Sequence, residues 1–466
     1  MNHRTTPRRP IARSSLTLAA TLLAALAPVA LASAAAAQGS PRDSTVRLTL
    51  GEAVRMASQQ NAAVGSARSR LGVAEARVVQ RRADLLPTLS LNATEHGSTL
   101  NSAALFPIDF PSAPGEPALF DPQGSLLGPL NVFDARARVT QTVLDPGALA
   151  RLRGARTSVR AAGADLANAS DVAAARAANA YLTVLRADAV YVARLADSTL
   201  AADLLTIAQD QLRAGTGVAL DVTRARSQLT GARTQLIVAR NDRDRTRVEL
   251  ARAVGLPLVN LELADSLTEM PVSISAAESA ALETALRGRK DLQSLELQAQ
   301  AARQQASAIR NERLPTVGVF ADQGQSQRNG RSSLPTYDWG VELSLPVFDG
   351  FRREGRVEEQ VAVARDFEMR ERDLRTQVEA DVRIAMLDLT SSAEAVSAAR
   401  ERLQLAEQEV AQARERFQAG VSGNADVITA SLTLNGARTQ YVDALASFQA
   451  ARVALARATG TITSLD

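Results

Sequence analysis

The amino-acid sequence predicts a mainly α-helical chain with a few β-strands, in which one structural unit occurs twice. The first observation is a tandem repeat, because the pentapeptide Gly231–Gln235 recurs unchanged as Gly436–Gln440, 205 residues later. The second is the absence of proline from residues 147–256 and from residue 347 to the C-terminus, both rich in strong helix formers. The third is an alternation of apolar and polar residues ahead of each proline-free stretch. A unit repeated along the sequence predicts a fold that uses it twice.

The duplication also predicts the domain boundaries. Upstream of the pentapeptide, Leu86–Thr88 matches Leu314–Thr316 at an offset of 228 residues, so the first unit carries about 24 extra residues. They fall within residues 106–134, which are rich in Pro and Gly. A Pro/Gly-rich insertion whose flanks stay in register predicts a surface loop. The two predicted units are residues 38–260 and residues 261–466.

Residues 1–37 predict a secretory signal peptide that precedes the first unit. The segment has four Arg and no acidic residue, an apolar stretch at residues 16–31 and small residues at 35–37. A membrane anchor is the alternative, but no second apolar stretch of about 20 residues follows. The whole chain has a formal charge of +3, so removal of the segment leaves −1. Such a mature chain does not predict nucleic-acid binding, which requires a concentration of basic residues.

Residue types that carry chemistry are scarce. The chain has no Cys, which excludes disulfides and thiolate metal sites, and His96 is the only His beyond the signal segment. The segment Gly215–Gly217 lacks the third glycine of a dinucleotide-binding motif and follows a predicted helix. We therefore predict no catalytic residue, no metal site and no cofactor, and an enzyme is the function that the sequence supports least.

Each unit opens with a predicted helix, Gly51–Ala83 or Ala276–Arg313, and two predicted strands follow. The alternating apolar residues of the four strands are Leu89, Leu91 and Ala93; Ala135, Ala137, Val139 and Val143; Val317, Val319 and Ala321; and Trp339, Val341, Leu343 and Leu345. Period two over about eight to ten residues is typical of a barrel strand with one apolar and one polar face. Four strands cannot close a barrel, because the smallest bacterial barrels have about eight. Several copies of the chain must therefore share one membrane β-barrel.

A long helical hairpin follows each pair of strands. The first arms are predicted at Arg151–Ala214 and Arg353–Ala419, each on the order of 100 Å long at about 1.5 Å per residue. Each arm stops at a matched glycine, Gly215 or Gly420, suited to a left-handed helix cap. The returning helices are predicted to begin at Asp221 and Asp426 and to end near Gly255 and Gly460.

Taken together, these motifs resemble the TolC family of outer-membrane efflux channels over essentially all of the mature chain. The resemblance rests on the opening Leu48–Val54, the junction Leu85–Leu89 with its repeat Arg313–Val317, the return Leu345–Gly350, and the helical turn from Arg416 to Val427. Each motif alone is weak, but all occur in order and largely in two copies.

The resemblance implies a homotrimer in which three chains form a twelve-stranded barrel and their helices form a periplasmic tunnel. It implies a passive channel that works with a periplasmic adaptor and an inner-membrane efflux pump or ABC transporter, and that contacts outer-membrane lipid. The export of drugs, metals or proteins by type I secretion is known among relatives. The implied adaptor-docking residues are those of the helical turns: Gly215, Thr216, Gly217, Asp221, Gly420, Val421, Ser422 and Gly423.

The resemblance also implies an entrance gate. In relatives of this type, acidic residues after the second turn form rings that narrow the entrance. Asp426 stands at the first such position, whereas Thr429 stands at a position that is acidic in some members. The alternative is that Asp426 caps the following helix, as we expect for Asp221. Both roles can coexist.

Two other functions remain open from the sequence. The first is a structural periplasmic coiled-coil protein that forms no pore. The second is a periplasmic adaptor, although adaptors normally carry a single hairpin flanked by globular β domains.

Overall fold

The computed structural model describes residues 46–101, 126–257, 261–267, 278–328 and 330–464. The predicted signal peptide and residues 106–125 of the predicted loop lie outside these ranges. The described residues belong to one compact unit, Thr45–Asp466.

The same order of elements occurs twice along the chain. The first series is β1 (Val46–Leu48), α1 (Leu50–Gln60), α2 (Ala62–Ala83), β2 (Thr88–Asn101), β3 (Leu126–Leu144), α3 (Pro146–Arg213) and α4 (Ala219–Val254). The second is β4 (Leu261–Leu263), α5 (Glu278–Gly288), α6 (Lys290–Asn311), β5 (Thr316–Arg328), β6 (Leu334–Ser344), α7 (Arg352–Gln418) and α8 (Asn424–Thr459), followed by a 3-10 turn at Ile462–Ser464. This confirms a mainly helical fold with long hairpins; the boundaries 38–260 and 261–466 stay a prediction.

The four predicted strands form one antiparallel sheet in the order β2-β3-β5-β6. The pairing of β3 with β5, as between Ala137 and Gln323, joins the two repeats in the middle of the sheet. The edge strands are β2, which pairs with β3, and β6, which pairs with β5. The sequence did not predict the short parallel pair β1–β4, in which Val46 faces Leu261, because three residues are too few to show an alternation.

The predicted loop 106–134 is wrong at its C-terminal end, because β3 already begins at Leu126. Pro129 misled the prediction, since proline lacks the N–H that a regular strand donates. Pro129 lies where the register with β2 shifts, between the pairs Ser98–Leu130 and Leu100–Leu127. Such an irregularity accommodates a residue that cannot complete the backbone hydrogen bonds between the two strands.

The predicted opening helices Gly51–Ala83 and Ala276–Arg313 are each two helices. The first breaks at Asn61, whose backbone is extended (φ −61°, ψ 139°). Its Oδ1 accepts a hydrogen bond from Ala63 N at 2.9 Å, and its Nδ2 donates to Ala253 O at 2.9 Å. The second breaks at Arg289, which binds Asp291 at 2.7 Å and Asp381 at 2.9 Å. Contacts with distant residues therefore stabilise both breaks.

The largest hydrophobic cluster combines both repeats around the middle of α3. Its buried residues include Leu48 and Ala177 from the first series and Phe448 and Ile462 from the end of the chain. Buried Ala173, Ala174, Ala177 and Ala178 have small side chains that let neighbouring helices approach closely. Among the described helices, none combines the length and the apolar character needed to cross a membrane.

A buried tyrosine links this cluster to the backbone at Leu48 and to Asp265. The Tyr181 hydroxyl donates to Asp265 Oδ2 at 2.7 Å and also lies 3.0 Å from Leu48 O. The same carboxylate accepts a hydrogen bond from Leu50 N at 2.9 Å. Burial, and then the hydrogen bond to Asp265, raises the pKa of Tyr181, so the phenol stays protonated and remains a donor.

We expect Tyr181→Phe to lower the free energy of unfolding by about 1–2 kcal/mol, because the partly buried Asp265 carboxylate loses its donor. The raised pKa of Tyr181 in the folded chain adds stability that is present below about pH 10 and is lost as the pH rises above it. Thermal unfolding in detergent, followed by circular dichroism at pH 8 and pH 11, measures both effects. Tyr441→Phe is the control, because that hydroxyl makes only an exposed 3.4 Å contact with Arg400. Equal losses in the two variants would contradict the prediction.

Candidate functional site at the paired helical turns

The two hairpin turns share one backbone geometry. Gly215 (φ +75°) and Gly420 (φ +71°) are left-handed, as predicted. In the first turn, Thr216 N donates to Gln211 O at 3.0 Å; in the second, Val421 N donates to Arg416 O at 3.0 Å. This pattern is the Schellman motif, which pairs the last free carbonyls of a helix. A side chain at either glycine would strain the turn.

Side chains hold the two turns next to each other. Gln211 Nε2 donates to Phe417 O at 2.8 Å, and Asn424 Nδ2 donates to Asp221 O at 3.0 Å. Phe417 is buried in a cluster with residues of α3, α4 and α8, among them Leu204. Sequence reasoning missed Gln211, Phe417 and Asn424. Comparing the repeats could have found them, because their counterparts 205 residues away differ in type: Arg416, Leu212 and Ala219.

The predicted gate residues lie at the start of α8. Asp426 and Thr429 are both exposed and lie three residues apart, so they share one face of the helix. The Asp426 carboxylate makes no hydrogen bond or ion pair within the described residues, whereas Thr429 Oγ1 donates to Ala425 O at 2.9 Å. Asp426 is therefore available to face solvent or another copy of the chain.

The N-cap role that we expected for Asp221, and that was the alternative for Asp426, is wrong. The N-caps are Val218 and Gly423, and neither makes a side-chain cap hydrogen bond. The chain enters each helix three residues before the aspartate, which therefore lies in the first helical turn. A negative charge there is favoured by the unpaired N–H groups of the helix N-terminus. In the first repeat, the Asp221 carboxylate also lies 4.0 Å from Arg224.

The remaining predicted turn residues lie mostly at the surface. Those that are exposed are Gly215, Thr216, Gly420, Val421 and Gly423, and those partly buried are Gly217 and Ser422. Large exposed apolar side chains flank them at Val218 and Leu220 in the first turn. Sequence reasoning missed these two, although both stand beside the predicted glycines. The turns thus present exposed apolar side chains and glycine backbone next to each other.

A buried ionic cluster joins α3 to α8 further from the turns. Asp197 is 2% exposed, and its carboxylate binds Arg438 at 2.8 Å and Arg194 at 3.2 Å. Arg194 also donates to Thr439 Oγ1 at 2.9 Å. Burial raises the pKa of Asp197 above its ordinary value, although both arginines act to lower it. Arg438 belongs to the repeated pentapeptide, so the sequence contained a signal for its position but none for its partner.

A groove of about 730 Å³ lies beside α2, α3, α6 and α7. Its lining includes Arg70 and Arg77 of α2 and, 228 residues later, Gln298 and Gln305 of α6. These pairs occupy equivalent positions in the two repeats. The two equivalent helices that line the groove therefore differ: α2 carries arginine where α6 carries glutamine.

Residues 53–256 and 281–461 match the family model described as "Outer membrane efflux protein". A segment of 149 residues is 30% identical to the alkaline protease secretion protein AprF of Pseudomonas aeruginosa, a match that covers 30% of this chain and 31% of that protein. The chain thus spans about a third of the length of this curated relative.

Solved structures with low identity share the fold. A membrane protein from Pseudomonas aeruginosa matches with a TM-score of 0.71 at 18% identity, over 88% of this chain and 90% of that chain. The Campylobacter jejuni CmeC outer membrane channel matches with a TM-score of 0.71 at 16% identity, over 90% and 87%. The Vibrio cholerae outer membrane protein VceC matches with 0.69 at 18%, over 88% and 96%. These likenesses confirm the predicted fold class.

Proposed function

Because the chain belongs to the outer membrane efflux protein family, we propose that three copies form a passive channel that exports small molecules or proteins. The family confirms the predictions of an outer-membrane location and of a function other than catalysis. In the proposed assembly, a periplasmic adaptor docks at the helical turns and an inner-membrane pump or ABC transporter supplies the energy. AprF is named for alkaline protease secretion, so a protein cargo is one form of this proposal.

The four-stranded sheet supports this proposal through the division between its two faces. One face carries Leu91 of β2 and Val341 of β6, which are 82% and 67% exposed in the single chain. The opposite face carries an ionic cluster in which Arg136 binds Asp134 at 2.6 Å and Asp322 at 3.4 Å. A membrane barrel needs this combination of an apolar outer face and a polar inner face.

The edges of the sheet support the trimer. The edge strands β2 and β6 have 14 and 11 residues, long enough to cross a bilayer when tilted. An open edge in a membrane leaves backbone groups unpaired, which is strongly unfavourable. Pairing β6 of one copy with β2 of the next removes every edge when the ring closes. Three copies of four strands give the twelve strands of the proposed barrel.

Fractionation tests the proposed function against the structural coiled-coil alternative. The channel is expected in the outer membrane as a trimer that resists heat and detergent, because the closed barrel is hydrogen-bonded throughout. Recovery as a monomer in the soluble periplasmic fraction would refute the channel and favour the alternative. Cross-linking in cells, followed by identification of the proteins captured at the turns, tests the adaptor and the pump.

We expect Asp426→Asn to bring the ratio of cation to anion permeability close to one in planar bilayers. Three Asp426 carboxylates near the trimer axis would favour cations at the entrance, and the amide removes that charge while keeping the shape. Block by multivalent cations from the periplasmic side should weaken, and trimer stability should hardly change. Asp221→Asn is the matched control, since its carboxylate lies near Arg224 in the same chain. Unchanged selectivity and block in Asp426→Asn would place the constriction elsewhere.

A further inference from the structure

The groove beside α2, α3, α6 and α7 lies on the concave side of a row of helices. In this row α2 packs on α3, α3 packs on α6, and α6 packs on α7. One groove that contacts all four helices lies on the concave side, because on the convex side the outer helices turn away from each other. In the proposed trimer, three such rows close into a ring and keep their concave sides inward. The groove therefore faces the interior of the tunnel.

Small residues of α3 form the floor of the groove. They include Gly154, Ala155 and Ala161, and the helices on either side of α3, which are α2 and α6, form the two walls. The groove has a volume of about 730 Å³, and sites for small molecules commonly measure about 300–1,000 Å³. The groove is thus large enough for a small organic molecule.

The α2 wall carries two cations that have no partner. The side chains of Arg70 and Arg77 are exposed, and neither makes a hydrogen bond or ion pair among the described residues. The two arginines are seven residues apart, so they share one face of α2 and lie about 10 Å apart along its axis. Asp165 is the single acidic residue among the described residues of the lining, and its carboxylate accepts a hydrogen bond from Ser294 of α6.

The other arginines of the lining are paired with carboxylates. Arg151 binds Asp145 at 3.2 Å and Glu312 at 3.3 Å. Arg81 lies 3.6 Å from Asp84. Since these pairs are close to neutral, the uncompensated charge on the groove walls comes from Arg70 and Arg77.

The α6 wall presents neutral amides to the same groove. Gln298 and Gln305 stand 228 residues after Arg70 and Arg77, and both line the groove. The duplication makes α2 and α6 equivalent, so each glutamine lies at the height of its arginine counterpart. Gln298 donates to Ser294 Oγ at 2.9 Å, whereas the Gln305 amide makes no hydrogen bond among the described residues. A free amide donor therefore lies across the groove from a free guanidinium group.

We infer that this groove binds small organic anions, whose phosphate or carboxylate groups contact Arg70, Arg77 and the Gln305 amide. Guanidinium groups pair with phosphate and carboxylate groups in a bidentate geometry. The spacing of the two arginines fits a polyanion whose charged groups lie about 10 Å apart. This inference rests on the proposed channel and names a class of cargo for it. Because the groove lies within one chain, binding itself does not require the trimer.

The groove is remote from the proposed entrance gate. Asp165, the residue of the α3 lining nearest to the turns, precedes Arg213 at the end of that helix by 48 residues. This separation corresponds to about 70 Å along the helix, whereas exposed charges in 0.1 M salt are screened over about 10 Å. The arginines therefore act independently of Asp426. Three Asp426 carboxylates would repel an anion at the entrance, so a test anion is best added from the barrel side.

Block by inorganic triphosphate in planar bilayers tests the inference. Triphosphate added from the barrel side should interrupt the current of the unmodified channel. The Arg70→Gln, Arg77→Gln double variant, which copies the residues of α6, should require about ten times more triphosphate for half-block. The Arg70→Lys, Arg77→Lys variant should retain most of the block, because it keeps the charge.

A matched control removes the same charge from the same helix. Arg68 and Arg82 are exposed, make no hydrogen bond or ion pair through their side chains among the described residues, and lie outside the lining of the groove. The Arg68→Gln, Arg82→Gln variant should therefore be blocked like the unmodified channel. An equal loss of block in this control, or an unchanged block in Arg70→Gln, Arg77→Gln, would overturn the inference.

Calorimetric titration of triphosphate into the detergent-solubilised protein separates the site from the channel. The heat of binding should be lost in Arg70→Gln, Arg77→Gln and retained in Arg68→Gln, Arg82→Gln. Binding by a protein that conducts no current would support the site and refute the proposed function. A conducting channel that binds no triphosphate would overturn the inference and leave the proposed function intact.

Discussion

Arg438→Met is expected to lower the free energy of unfolding by about 3–5 kcal/mol, the usual effect of removing one partner from a buried ion pair. The substitution keeps most of the side-chain volume, so the loss reflects the charge left on Asp197. That carboxylate, 2% exposed, would keep only Arg194, at 3.2 Å, as a charged partner. Thermal unfolding of the detergent-solubilised protein measures the change.

The pH dependence separates this electrostatic loss from a packing defect. Burial already raises the pKa of Asp197 in the folded chain, and losing Arg438 removes an interaction that lowers it. The folded state then binds a proton more tightly than the unfolded state, so stability decreases as the pH rises through that window. The deficit of Arg438→Met should therefore be largest at neutral pH and should shrink in acid. A deficit that is independent of pH would indicate a packing defect. Arg233→Met is the control, because Arg233 holds the same position in the other copy of the pentapeptide.

Val341→Arg is expected to abolish the trimer in the outer membrane, while Glu342→Arg leaves it intact. The two residues are neighbours on β6 but lie on opposite faces of the sheet, and Val341 belongs to the apolar one. An arginine that faces lipid costs about 2–4 kcal/mol near the bilayer midplane, whereas substitutions inside a barrel change selectivity instead. Because the penalty is repeated in every copy, assembly is affected severely.

Heat-modifiable migration in gels and membrane fractionation check this pair of variants. Normal assembly of Val341→Arg would show that this face does not contact lipid. Loss of assembly in Glu342→Arg alone would show that the polar face is the tightly packed one. Either result would reverse the assignment of the two faces.

Local patterns in the sequence predicted the elements that depend on local causes. The alternation around Leu91 and Val341 predicted strands because side-chain direction in a strand has period two. Gly215 and Gly420 marked the turns because few other residues adopt the left-handed conformation. The duplication extended each prediction to its second copy.

The features that were missed depend on partners far away in the sequence. The break at Asn61 is stabilised by Ala253 and the break at Arg289 by Asp381, so neither helix shows an interruption in its own pattern. At the candidate site, Asn424 spans the turns by binding Asp221 O, 203 residues away. Asp221 was expected at the cap, and the cap was the alternative role for Asp426, because aspartate is favoured both at that position and in the first turn. Only the backbone geometry distinguishes the cap position from the first helical turn.

The parallel pair of β1 and β4 has a consequence for how the two repeats fold. Val46 pairs with Leu261, and Leu50 N binds Asp265 across 215 residues, so the first repeat cannot complete its core alone. The same core contains Ile462, which follows α8 in the second repeat. Contacts of such high contact order form slowly, because loop closure must precede them. We therefore expect that neither repeat folds as an autonomous unit, because each contributes residues to a core that the other completes.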